Sequence, residues 1–193
     1  RDQIVTLLRS GQYQELRRKV LNQQEFQMPS GYSVFGEVLA VGSDVTEFST
    51  GQHVVALGDD ASHGSIAVVK RGMVFPCTNN IHNSLVALVA IALNAVELSA
   101  PEPFASVCVV GGGVIGQLLT RILSAAGHSV TVTDISRAAL EKCRVMGAEG
   151  IVLAENFSTQ SHSRYSRIFA TVPSGLDDMW DSISDVADVG AKV

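Results

Sequence analysis

The sequence predicts an α/β chain in two parts. Three observations carry that reading. From Val107 onward, short β-branched runs alternate with helical patterns, the signature of parallel strands joined by crossover helices. Before Ser99, short apolar strands are separated by Gly/Ser/Asp/Thr turns, which suggests a small β-barrel or sandwich unit. Between the two lies "SAPEP", Ser99 to Pro103, a linker with two prolines. The expected division is residues 1–100 and 101–193.

Arg1 to Gln24 reads as an amphipathic helix broken at Ser10-Gly11, with Ile4, Leu7, Leu8, Leu16, Val20 and Leu21 near helical spacing. Arg17, Arg18 and Lys19 form a solvated face. Pro29 to Gly31 is a breaker. Strands are expected at Gly36–Gly42, His53–Leu57, Ser65–Lys70 and Met73–Cys77. "NSLVALVAIALNAVEL" reads as a buried helix capped by Asn83 or Ser84. Then come strand Val107–Val110, helix Val114–Ala126, strand Ser129–Thr133, helix Arg137–Met146, strands Gly150–Ala154 and Arg167–Val172, and a helix near Leu176 to Val186. "VGAKV" reads as one more strand.

Composition narrows the function classes. Hydrophobic residues make up 46% and charged residues 17%, so the chain packs a core and is not disordered. Net charge is −5 with no long basic run, which disfavours nucleic-acid binding and attraction to anionic membranes. The most apolar segment, Leu85 to Val96, is shorter than the about 20 residues a bilayer requires. Three cysteines, Cys77, Cys108 and Cys143, form no CxxC pair, which excludes a four-cysteine zinc site and fits a reducing, cytoplasmic setting.

The chemistry-bearing motif is "VCVVGGGVIGQLLTRILSAAGHSVTVTD", Val107 to Asp134. Gly111, Gly113 and Gly116 spell G-x-G-x-x-G between a strand and a helix, the context a dinucleotide fingerprint requires. Gly111 permits the tight turn, Gly113 admits a pyrophosphate to the backbone, and Gly116 lets the helix pack on the strand. The helix start at Val114 and Ile115 then offers free N–H groups and a positive dipole end. Asp134 stands 18 positions beyond Gly116, at the end of the second strand, where a carboxylate grips the ribose and repels a 2′-phosphate. NAD is therefore expected over NADP. Ile135 flanks the acid, and Arg137 is placed to stack on adenine or to meet a 2′-phosphate. FAD and S-adenosylmethionine sites also use glycine turns; the internal position and the G-x-x-G half favour a nicotinamide dinucleotide.

With that motif in place, two segments point to one family. "PSGYSVFGEVLAVGSDVTEFSTGQHVVAL" resembles the GroES-like domain of the medium-chain dehydrogenases/reductases, the zinc-type alcohol dehydrogenase superfamily. "VCVVGGGVIGQLLTRILSAAGHSVTVTDIS" with "MGAEGIV" resembles its cofactor domain. The implied fold is a Rossmann-type parallel sheet domain, truncated at its C-terminal end, preceded by a partial GroES-like β domain. The chain resembles a fragment of a longer protein. "GYSVFGEV" with "DDASHGSIAVV" and "VALVAIALNAVEL" is similar to a zinc-free subgroup that includes bi-domain oxidoreductases.

Where the family reads G-H-E, this chain has Gly31-Tyr32-Ser33. That replaces a zinc-ligand histidine and its neighbouring glutamate with two hydroxyls, so no catalytic zinc is expected. The resemblance then implies that Tyr32 and Ser33 stand in for the metal-site residues, with His63 of the "DDASHGS" loop as a further proton carrier. The alternatives for these residues are wall packing for Tyr32 and a backbone-bonded turn for His63. Thr171 and Val172 end the fourth parallel strand, where the family places cofactor contacts. The expected activity is hydride transfer between a nicotinamide cofactor and a small carbonyl, alcohol or enone. The rivals are an inactive dinucleotide-binding scaffold or sensor and an accessory domain of a larger biosynthetic enzyme. Expected partners are a small-molecule substrate and, beyond it, a homodimer mate or a fused or neighbouring enzyme.

Overall fold

The computed structural model describes residues 30–157, 164–172 and 176–192. The expected N-terminal helix lies outside the described residues. Contacts divide the chain into two units, Arg1–Ser84 and Leu85–Val193.

In the first unit, β1 (Ser33–Glu37), β2 (His53–Leu57) and β3 (Val74–Pro76) form an antiparallel sheet in the order β1-β2-β3. Ser33 pairs with Leu57 and Glu37 with His53. Val55, Ala56 and Ala61 are buried. The expected strand Gly36–Gly42 is corrected: the strand starts earlier and ends at Glu37. One further rung, Val38 N–H to the Gln52 carbonyl at 2.9 Å, continues past it, and Leu39 and Val41 then stand exposed. The expected strand Ser65–Lys70 forms no ladder, and Val68 is 88% exposed. β-Branched residues suit a pleated surface but need a neighbouring strand to pair with. None is available to this segment among the described residues.

The second unit opens with helix α1 (Val86–Ser99). Its expected cap is also corrected. A 3-10 turn, Ile81–Leu85, leads into the helix. The Ser84 hydroxyl therefore donates backward to the Ile81 carbonyl at 2.8 Å, and the Asn83 amide donates to the Thr78 carbonyl at 2.7 Å. This lead-in makes Ile81–Ser99 a 19-residue helical run, long and apolar enough by length and composition to cross a membrane. The run is longer than the Leu85–Val96 segment read from the sequence. Ala92, Ala95 and Val96 of the run pack into the core of the sheet unit. At its other end the Arg167 guanidinium donates to the Ser99 carbonyl (2.8 Å) and the Ala100 carbonyl (3.2 Å), satisfying the helix's free C-terminal groups.

Beyond α1 the alternation runs as expected. β4 (Ser106–Val110), α2 (Val114–Ala125), β5 (Ser129–Asp134), α3 (Arg137–Met146), β6 (Gly150–Leu153), β7 (Tyr165–Ala170), α4 (Leu176–Val186) and β8 (Ala187–Lys192) follow in turn. The five strands form one parallel sheet in the order β6-β5-β4-β7-β8. β4 is central, and Val107, Cys108, Val109 and Val110 are all buried, as a strand covered on both faces requires. One face packs Val107 and Val109 against Leu119 and Leu123 of α2 and Leu140 and Cys143 of α3. The other packs Cys108 and Val110 against Ile183 and Val186 of α4. The strand order reverses beside β4, which opens a crevice at the carboxyl ends of β4 and β7, where ligands of such sheets bind. The Ser136 hydroxyl caps α3, accepting from the Ala139 N–H at 3.4 Å.

Candidate cofactor site

The glycine loop leaves β4 at that crevice. Gly111 has φ +104°, a conformation that side chains rarely adopt, and its N–H donates to the Thr133 carbonyl at 2.8 Å. A Cβ on Gly116 would run into the Gly111 carbonyl oxygen, so the helix seats directly on the turn. Gly113 differs. A Cβ there would meet nothing within 4 Å, and its φ of −66° is ordinary. Packing therefore does not call for a glycine at this position. What its missing side chain leaves is open space over the start of α2. Gly113 and Val114 are exposed, and Gly113 caps α2 with no side-chain hydrogen bond.

Asp134 faces this loop. One carboxylate oxygen accepts the Gly112 N–H at 2.6 Å and the other the Ser136 N–H at 2.7 Å. A carboxylate accepts about four hydrogen bonds, so each oxygen keeps capacity for a ligand hydroxyl. Thr171 braces the turn from β7. Its N–H donates to the Val110 carbonyl at 2.8 Å, and its hydroxyl lies 3.0 Å from that carbonyl and 2.9 Å from that of Gly111. Val172 packs beside it, 3.1 Å from where a Gly111 Cβ would lie. The structure thus gathers Gly111, Gly116, Thr171, Val172 and Asp134 about one turn. Ile115 is half-buried at the start of α2. Ile135 is exposed, and Arg137 lies along α3 beside Glu141 at 4.0 Å.

Sequence reasoning passed over Gly112 and Gln117. A Cβ on Gly112 would lie 3.2 Å from the Ala139 Cβ and 3.3 Å from the Cys143 sulfur, so a side chain there would crowd α3. Its carbonyl accepts from the Gln117 side-chain amide at 2.8 Å and lies 3.9 Å from the Cys143 sulfur. The available signals were a third consecutive glycine and a polar residue at a core-side helix position. Burial pushes the Cys143 thiol above its ordinary pKa; the Thr120 hydroxyl opposes this and the Asp134 charge adds to it. Burial pushes Cys108 up as well. All three cysteines are free thiols.

The residues aligned with the metal site fall in the first unit. Tyr32 is 49% exposed. The Ser33 hydroxyl is buried with no hydrogen-bond partner among the described residues. The exposed His63 ring lies against Gly31, so tightly that a Cβ there would overlap it. The His63 N–H donates to the Ser30 carbonyl, and the Gly58 N–H to that of Tyr32 at 2.9 Å. Among the described residues, no three His, Cys, Asp or Glu side chains gather to hold a metal.

A glycine turn, an open helix start and a facing carboxylate at the switch point of a parallel sheet define a Rossmann-type, dinucleotide-binding fold. Comparison agrees. Residues 106–185 match the family profile "3-hydroxyacyl-CoA dehydrogenase, NAD binding domain". (R,R)-Butanediol dehydrogenase of Neisseria gonorrhoeae is 28% identical over 154 residues, covering 64% of this chain and 44% of that protein. A zinc-type alcohol dehydrogenase-like protein of Staphylococcus aureus strain COL is 31% identical over 134 residues, covering 62% and 40%. The E. coli CFT073 protein rspB, described as a short chain alcohol dehydrogenase and solved with NADH, superposes with a TM-score of 0.69 at 20% identity, covering 84% and 58%. The chain is similar to zinc-type alcohol dehydrogenase-like proteins and butanediol dehydrogenase, and it spans under half the length of these two curated relatives.

Proposed function

We propose that this chain is the NAD(H)-binding part of a zinc-independent oxidoreductase acting on a small carbonyl, alcohol or enone. The observation that carries the proposal is the open helix start at Gly113 with the Asp134 carboxylate held beside it. The Gly113, Val114 and Ile115 amides hold the pyrophosphate. Asp134 takes the ribose hydroxyls and, by its charge, disfavours a 2′-phosphate, so NAD is preferred to NADP. Bound nicotinamide supplies or accepts the hydride. Residues 101–193 bind the cofactor and residues 1–100 serve the substrate. Tyr32, Ser33 and His63 are the residues proposed to manage the proton on the substrate oxygen.

Zinc, which the names of several relatives imply, does not fit the residues here. Gly31-Tyr32-Ser33 offers no soft or imidazole ligand, and the described residues hold no ligand cluster. The three free thiols support a reducing, cytoplasmic setting. A homodimer or a fused biosynthetic partner completes the reading.

Fluorescence titration with NADH and NADPH, followed by a panel of aldehydes, ketones and enones, tests it. Tighter NADH binding with oxidation by some panel member is expected; binding of neither cofactor defeats it. The buried Ser33 hydroxyl and the missing ligand set also support a second reading, a dinucleotide-binding scaffold without catalysis. Bound NADH that no substrate oxidises would favour that reading.

A further inference from the structure

We infer that Gln117 is a positioning residue for the pyrophosphate: it locks the Gly112–Gly113 peptide so that the Gly113 N–H faces the ligand. The inference rests on the dinucleotide reading above and adds to it a residue outside the glycine fingerprint.

Three consecutive glycines make a loop whose peptides turn over at little steric cost. A turned peptide would present a carbonyl oxygen to the phosphates in place of an N–H, replacing attraction with repulsion. Something must fix the orientation. The peptide joining residues 112 and 113 is trans, so within that planar unit the carbonyl and the N–H point in opposite directions.

The Gly112 carbonyl is tied inward. Gln117, one turn up α2, donates its side-chain amide to it at 2.8 Å. The neighbouring Cys143 sulfur, at 3.9 Å, is a weak donor at best. The Gly112 N–H is held at the same time by Asp134 at 2.6 Å. With both ends of residue 112 fixed, the Gly113 N–H is directed away from Gln117 and Cys143. It faces the exposed side, where Gly113 leaves 4 Å of open space. One side chain on the first turn of the helix thereby sets an amide that binds and excludes a carbonyl that repels.

The test compares wild type with Gln117→Met, which keeps the length and removes the donor, and with Gln117→Glu, which puts an acceptor against the carbonyl. Dissociation constants are measured for NADH and ADP, which carry the pyrophosphate, and for adenosine, which does not. Gln117→Met should weaken NADH and ADP about three- to tenfold, the size of one amide–carbonyl bond, and leave adenosine unchanged. Gln117→Glu should weaken them further. Thermal melts establish that each variant is folded, and Gln117→Glu serves should Gln117→Met fail to fold. Wild-type affinity for ADP in a folded variant, or adenosine weakened as much as ADP, overturns the inference and leaves the dinucleotide reading intact. A wild type that binds neither NADH nor ADP overturns both.

Discussion

The two units handle apolar surface in opposite ways. In the sheet unit, Val107 to Val110 are sealed between two helical layers, with Leu119, Leu123 and Ile183 closing over them. In the β unit, Leu39, Val41, Ile66 and Val68 of similar chemistry stand in solvent, around an open cavity of about 530 Å³ lined by the β1–β2 faces and the 65–69 segment. One unit supplies its own partners, because each crossover helix returns to cover the strand before it. In the other, the 65–69 segment has no pairing strand among the described residues. Apolar residues thus specify a strand's face, and a pairing neighbour decides whether the strand forms.

The largest expected effect, because it removes stability and cofactor binding together, is Gly116→Ala. Its Cβ would enter the Gly111 carbonyl, so the helix must lift off the turn. A loss of roughly 2–4 kcal/mol in urea unfolding, together with loss of NADH binding, is expected. Core and surface apolar residues are separated by a matched pair. Leu123→Ala, at a position fully shielded from solvent, should cost about 2–5 kcal/mol, whereas Val68→Thr should stay within about 0.5 kcal/mol. Equal losses in the two melts would erase the contrast between the units.

Arg167→Met should cost on the order of 1 kcal/mol and fray the last turn of α1, seen as faster amide exchange near Val96 to Ala100, because two helix-end carbonyls lose their donor. The smallest effect concerns the thiols. Cys108 and Cys143 are held protonated by burial, so their contribution to stability is intact below the ordinary thiol pKa of 9.0. As pH rises past that value the unfolded chain loses these protons while the folded chain keeps them, and stability falls. Urea midpoints from pH 7 upward read this out. In the native protein a thiol reagent should label the half-exposed Cys77 and spare the other two.

The sheet unit was legible because its signals are local. The apolar pattern gave the bounds of α3 and placed α4 close to its own, and Gly111, Gly116 and Asp134 stand where a strand–turn–helix must place them. The errors arise where a neighbouring segment, and not the residue's own chemistry, decides the outcome. Ser65–Lys70 has strand composition without a strand beside it. Ser84 has the chemistry of a cap, but a 3-10 lead-in turned its hydroxyl backward. Gln117 and Gly112 escaped notice because the fingerprint counts alternate glycines, whereas the contacts of Gly112 reach across 22 residues to Asp134 and 31 to Cys143.

The most direct measurement exploits the open space at Gly113. Gly113→Asp installs a preferred helix cap and a favourable charge at the positive end of α2, where a side chain meets nothing. Thermal stability and NADH affinity, measured on the same sample, should then move apart: stability held or raised, NADH binding reduced at least about tenfold by a carboxylate standing where the pyrophosphate rests. Undiminished NADH affinity in this folded variant would contradict the account, because the nucleotide would have to bind elsewhere.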